Sequence, residues 1–177
     1  MRRSTRLMCM YAMGVALFVA LTMCVQAPVF ENYYLCLGYV VMAVYCCAFG
    51  PAGGVLTGAM GVVIYCLLTS GLRGMPGWAL GNVVIGAVLG WTFRRTKGMR
   101  SALLRQGINA VAVVAATAAG ILLVKSGVEC VLYGQPLLVR AAKNSYAFVA
   151  DAVVLLVSLP VCDRLDSRLG RYMEGKA

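Results

Sequence analysis

The chain has 177 residues, 62% of them hydrophobic and only 12% charged, with a formal charge of +10 and a mean hydropathy of +0.85. A soluble domain is about half apolar and about a quarter charged, so this composition excludes a disordered tail and argues against a soluble enzyme. At ~20 apolar residues per crossing, the length holds roughly six membrane spans and no separate soluble catalytic domain.

Six apolar runs follow one another. They cover about Met8–Ala27, Tyr33–Phe49, Pro51–Ser70, Gly77–Phe93, Ala102–Val124 and Ser145–Cys162. The expected fold is an all-α integral membrane bundle of six transmembrane helices, forming one domain over residues 1–177. Arg2-Arg3, the first run and Val25-Gln26-Ala27 together resemble a signal peptide with its cleavage site. The run is longer than a usual signal core and a second apolar run follows, which favours a retained first helix. Gly50-Pro51 splits a stretch too long for one crossing, and Gly suits a helix end as Pro suits a helix start. Gly71, Gly74 and Pro76 break the chain between runs three and four. Thr96–Arg105 is a basic connector, and Lys125–Asn144 is the longest expected loop, with a turn at Gly134-Gln135-Pro136.

Loop charge sets the orientation. Arg2, Arg3 and Arg6 precede the first run; Arg94, Arg95, Lys97, Arg100 and Arg105 fill the fourth connector; Arg164, Arg168, Arg171 and Lys176 follow the last run. With both termini cytoplasmic, these twelve basic residues face inward, and only Arg73, Lys125, Arg140 and Lys143 face out. The net charge therefore reads as an orientation signal rather than a nucleic-acid footprint. There is no histidine, so His-based catalysis and His-ligated metal have no residues to use. The eight cysteines form no C-x-x-C pair and mostly sit in apolar runs, as small buried side chains do. Cys130 is the one placed in an outer loop. No catalytic residue, metal site or cofactor is expected.

Helices associate in lipid by close approach at small residues. The first run carries Ala12, Ala16 and Ala20 on one stripe, open to internal packing or to a partner subunit. Gly54, Gly58 and Gly61 in the third run, and Gly77, Gly81, Gly86 and Gly90 in the fourth, read as internal packing.

Few polar residues interrupt the runs, and charge inside a membrane usually faces a cavity or a partner. Asp151 lies ~10 Å and Asn82 ~8 Å from the outer ends of their helices, which places both to line one outward-facing pocket. Trp78 stands one turn above Asn82 and offers an aromatic wall, or alternatively belongs to the interfacial belt expected for Trp91. Asn144 is two turns above Asp151. Tyr133, Arg140 and Tyr146 precede Asp151 in the long outer loop; Asn32, Tyr33 and Tyr34 lie in the first outer loop and Arg73 in the second. The candidate substrate-binding set is Trp78, Asn82, Tyr133, Arg140, Asn144 and Asp151. The plain alternative for Asp151 is a structural ion pair with Lys125 or Arg140, and for Asn109 a packing hydrogen bond.

Taken together, these features resemble the S component, the substrate-binding subunit, of energy-coupling factor (ECF) vitamin transporters. The points of similarity are six short spans with both ends inside, the Ala12-x-x-x-Ala16 stripe, the hairpin Phe49-Gly50-Pro51-Ala52-Gly53-Gly54 followed by Gly58 and Gly61, and Gly77-Trp78-Ala79-Leu80-Gly81-Asn82 followed by Gly86 and Gly90. The resemblance implies a vitamin-like ligand bound near the outer face, between helices four to six and the outer loops. It implies that Ala12, Ala16 and Ala20 dock on an energising transmembrane subunit, itself driven by two ATPase subunits, in a bacterial cell membrane. The chain has no G-x-x-x-x-G-K-[ST] loop, as suits a binding subunit. A basic rim of Arg140 and Lys143 against Glu129 favours an anionic ligand, while Asp151 favours a donor-rich or cationic group. Riboflavin, folate, pantothenate, pyridoxine-like compounds, thiamine, biotin and cobalt corrinoids all stay open.

The same residues are open to other functions. A membrane scaffold of the rod-shape-determining type would make the polar pocket incidental. A solitary proton-coupled carrier would use Asp151 as its proton site. A membrane enzyme has a single buried carboxylate and no histidine to work with.

Overall fold

The computed structural model describes residues 3–24, 28–30, 33–99 and 101–174. Arg2, Val25-Gln26-Ala27, Asn32, Arg100 and Lys176, named above, lie outside the described residues. Helix α1 (Arg3–Cys24) leads into a short antiparallel pair, β1 (Pro28–Phe30) and β2 (Tyr33–Tyr34). Helices α2 (Gly38–Phe49), α3 (Pro51–Leu68) and α4 (Met75–Thr96) follow. The fifth rod is α5 (Ala102–Thr117), a π-helical segment (Ala118–Lys125) and α6 (Ser126–Tyr133); the last is α7 (Leu137–Glu174). Five of these rods are long and apolar enough to cross a membrane, and α2 is a shorter apolar helix.

Three expectations need correction. The second run does not begin as helix at Tyr33, because residues 33–34 pair with β1 and α2 starts at Gly38. At twelve residues, ~18 Å, α2 is shorter than the ~30 Å hydrocarbon core. It sits at the centre of the bundle, with Tyr39, Met42, Ala43 and Cys46 buried. The expected loop Lys125–Asn144 is almost entirely helical: only residues 134–136 separate α6 from α7. Gly134 adopts the left-handed conformation (φ 64°), and its N–H closes α6 on the Cys130 carbonyl. Cys130 is therefore a half-buried helix residue and not a loop residue. The polar character of residues 125–144 reflects helix ends reaching beyond the hydrocarbon, which a search for apolar runs reads as loop.

α1 is built into the bundle by one face only. Successive residues on a helix are 100° apart, so positions 14, 18 and 22 lie about 200° from positions 12, 16 and 20. Gly14 receives the Tyr45 ring, Phe18 is fully buried, and Thr22 packs over Gly38. The Tyr45 hydroxyl donates to the Met10 carbonyl at 2.9 Å. Ala12, Ala16 and Ala20 are exposed on the opposite side. They line an apolar groove between α1 and α3, with Leu56, Met60 and Ile64 on its other wall.

α3 and α4 approach backbone to backbone. A Cβ on Gly86 would stand 2.6 Å from the Gly54 carbonyl carbon and 2.7 Å from the Val55 nitrogen. One on Gly90 would strike Pro51 and Gly50. Gly50 itself turns the chain between α2 and α3 with φ 72°, a conformation Gly adopts without steric cost. The π segment meets α4 in the same manner: a Cβ on Gly81 would stand 2.6 Å from the Gly120 carbonyl oxygen.

Candidate functional site

Loop charge marks the Arg94–Arg105 end as the one expected in the cytoplasm, and toward the opposite end polar residues gather in two layers. The deeper layer centres on Tyr39 of α2, which is fully buried. Its hydroxyl donates to Asn82 Oδ1 at 2.8 Å and accepts from Trp78 Nε1 at 2.9 Å. Asn82, also fully buried, passes the bond on by donating Nδ2 to the Gly58 carbonyl at 3.2 Å. Trp78 sets its ring edge-on to Tyr65, with centroids 5.8 Å apart. Asp151, 5% exposed, faces Tyr39 and Lys125. Helices α2, α3 and α4 are thus joined by one hydrogen-bond chain, with α7 and the π segment meeting it through Asp151 and Lys125.

The outer layer is built by the turn after α6. The π segment carries one extra residue per turn relative to an α-helix. Its end is marked by Ser126 Oγ, which donates to the carbonyl of Ile121 five residues back at 3.1 Å. This winding brings Ser126 and Glu129 to the interior, where both are buried. Asn144 Nδ2 donates to Ser126 Oγ at 3.0 Å and to Glu129 Oε2 at 3.1 Å. Arg140 Nη1 lies 3.7 Å from the same Glu129 oxygen. The Tyr133 ring stands between two guanidinium groups, Arg140 at 4.9 Å and Arg73 at 5.7 Å from its centroid. Its hydroxyl donates to the Arg73 carbonyl, tying the α3–α4 connection to the tip of α6. A cavity of about 560 Å³ opens here, lined by Arg73, Gly74, Glu129, Leu132, Tyr133, Gln135 and Arg140. That volume lies within the ~300–1,000 Å³ common for small-molecule pockets.

The six residues singled out from the sequence therefore fall into two groups rather than one lining. Tyr133 and Arg140 border the cavity, Asn144 braces Glu129 behind it, and Trp78, Asn82 and Asp151 form the layer beneath. Trp78 is half-buried and hydrogen-bonded inside the bundle, unlike Trp91, which is 58% exposed. Of the two ion-pair partners considered for Asp151, Lys125 faces it and Arg140 turns to Glu129 instead. That pairing offsets part of the basic rim counted from the sequence. Asn109 makes the packing bond expected of it, accepting from Thr96 Oγ1 at 2.9 Å. Sequence reasoning missed Tyr39, Ser126 and the inward role of Glu129. A single hydroxyl in an apolar run carries little signal, and a π segment has no composition of its own.

Five helices long and apolar enough to cross a membrane, with a polar cavity of small-molecule size at one end, define a multi-pass membrane protein with a candidate ligand site. The chain belongs to the family described as ECF-type riboflavin transporter, S component, whose family model matches residues 2–164. It is thus a substrate-binding subunit of an ECF-type vitamin transporter, and the family is not an enzyme family. No curated protein and no solved structure matches the chain.

Proposed function

We propose that this chain captures riboflavin at the outer face of a bacterial plasma membrane and presents it to an ECF energising subunit, whose two ATPase partners drive import. The observation that carries this reading is the riboflavin-family match over residues 2–164. The cavity chemistry supports it. Tyr133 offers an aromatic ring to a flat ring system that would take the place of one of the guanidinium groups now over it, and Gln135, Glu129 and Arg73 offer donors and acceptors to an imide edge and a hydroxylated chain. Riboflavin is neutral, which agrees with a rim whose Arg140 is already paired with Glu129.

Flavin fluorescence makes the test direct. Purified protein is expected to quench added riboflavin in a saturable, one-to-one titration without ATP. Tyr133→Leu is expected to weaken binding about tenfold, the scale of one lost aromatic stacking contact. No quenching by riboflavin, with a thermal shift from another vitamin instead, would reassign the substrate.

The exposed stripe supports the partner half of the proposal. Ala16→Leu fills the groove between α1 and α3 without touching the cavity. The variant is expected to bind riboflavin as the parent does and to lose co-purification with a co-expressed energising subunit. Unchanged co-purification would move the docking face elsewhere.

A further inference from the structure

A second site lies at the opposite end of the molecule. Trp91, Arg94 and Arg95 occupy positions i, i+3 and i+4 of α4, so they share one helix face. Trp91 is 58% exposed, in contrast to the bonded Trp78 at the other end of the same helix. The Arg95 guanidinium lies over the Trp91 ring, 5.1 Å from its centroid. The Arg94 stem lies over Gly50 at the α2–α3 turn, where Gly leaves room for it. Both arginines are exposed, and among the described residues neither has an acidic partner. Arg105 differs, because it is paired with Asp163 at 3.1 Å. Leu80 and Val88 continue the exposed apolar strip of α4 away from the charged end.

We propose that Trp91, Arg94 and Arg95 form a binding site for an anionic phospholipid of the cytoplasmic leaflet, with the phosphodiester at the two arginines that flank Trp91 and an acyl chain along Trp91 and Val88. Three features of the face point to a lipid rather than to solvent ions. The guanidinium planes match phosphate oxygens in geometry. Arg95 sits over Trp91, and indole rings are the side chains that gather at headgroup level. The apolar strip continues directly from the charged pair, which a free phosphate would leave unused.

Trp91 also supplies the readout. The protein is placed in nanodiscs of phosphatidylcholine with a rising fraction of phosphatidylglycerol bearing brominated chains, which quench indole emission on contact. Trp78, inside the bundle, supplies the unquenched background. Brominated phosphatidylglycerol is expected to quench Trp91 at a lower mole fraction than brominated phosphatidylcholine. Arg94→Gln and Arg95→Gln are each expected to raise the half-quenching fraction about fivefold, the worth of one basic residue at an anionic surface. Arg95→Lys, which keeps the charge and loses the stacked plane, is expected to fall between. Lys143→Gln, at the outer end, is expected to leave the selectivity unchanged. Equal quenching by the two lipids, or selectivity that survives both Arg→Gln changes, overturns the proposal. So does reversal of the quenching by millimolar inorganic phosphate, which would make this a free-phosphate site. Shielding of Trp91 from both lipids alike would mean that a protein covers the face.

Discussion

Gly86→Ala is expected to cost about 3 kcal/mol of bundle stability, at the upper end of overpacking effects, and Gly86→Val to abolish recovery of folded protein. The cause is geometric. The added Cβ would meet the Gly54 carbonyl carbon, the Val55 nitrogen and the Gly54 oxygen at 2.6–2.8 Å. All three are backbone atoms, so no side-chain rotation relieves the clash. α3 and α4 would have to separate, and with them the pair that carries the Gly58 carbonyl, Asn82 and Trp78. In lipid, where apolar burial adds little to helix association, lost close packing is not recovered elsewhere. Gly107→Ala is the contrasting case. Gly107 lies in α5 with nothing within 4 Å of its Cβ position, so alanine is expected to gain about 0.5–1 kcal/mol from helix propensity. Thermal unfolding in one detergent, monitored by size-exclusion recovery, compares the two. Similar midpoints for Gly86→Ala and Gly107→Ala would show that the α3–α4 seam is looser than drawn.

Asn82→Leu keeps side-chain volume close to that of the parent and removes one acceptor and one donor from the interior. The Tyr39 hydroxyl then loses its Asn82 acceptor in a fully buried position and has only the Asp151 carboxylate to turn to, while the Gly58 carbonyl loses its side-chain donor. Breaking this buried polar chain costs about 1–3 kcal/mol. Tyr39→Phe removes the hydroxyl as well, so the double variant Tyr39→Phe/Asn82→Leu is expected to recover part of the stability lost by Asn82→Leu alone. Riboflavin affinity is expected to fall in both single variants, because the layer beneath the cavity holds Trp78 and Asp151 in place. The check is a double-mutant cycle read by thermal unfolding and by flavin titration together. Additive losses in unfolding would mean that the two residues act independently. Unchanged flavin affinity in Asn82→Leu would assign the deeper layer to the scaffold alone.

Much of the fold was legible in the chain. The apolar runs, the Gly50-Pro51 break and the distribution of arginine gave the crossings and their orientation, because lipid demands long apolar helices and leaves charge in the connections. The site was legible in part. Asp151 and Asn82 stood out because polar groups in lipid are costly. Tyr39 did not, because a tyrosine hydroxyl in an apolar run is unremarkable until its neighbours are known. Glu129 and Ser126 look like loop residues in the sequence because the helix around them is polar at its end. The stripe at Ala12, Ala16 and Ala20 left two readings open, since a small-residue spacing states that something packs closely without stating what.

The sequence by itself determined that this protein lives in lipid, the loop-charge asymmetry from which its orientation is expected, and which family resemblance it carries. Each of these depends on composition and spacing along one chain. The tertiary structure alone decided that α1 turns its glycine face inward and its alanine face outward, that the π segment carries Glu129 and Ser126 to the interior, and that Arg140 pairs with Glu129 rather than Asp151. These depend on which helices stand side by side. The glycine contacts of α3 with α4, and of α4 with the π segment, set that arrangement through distances no linear pattern contains.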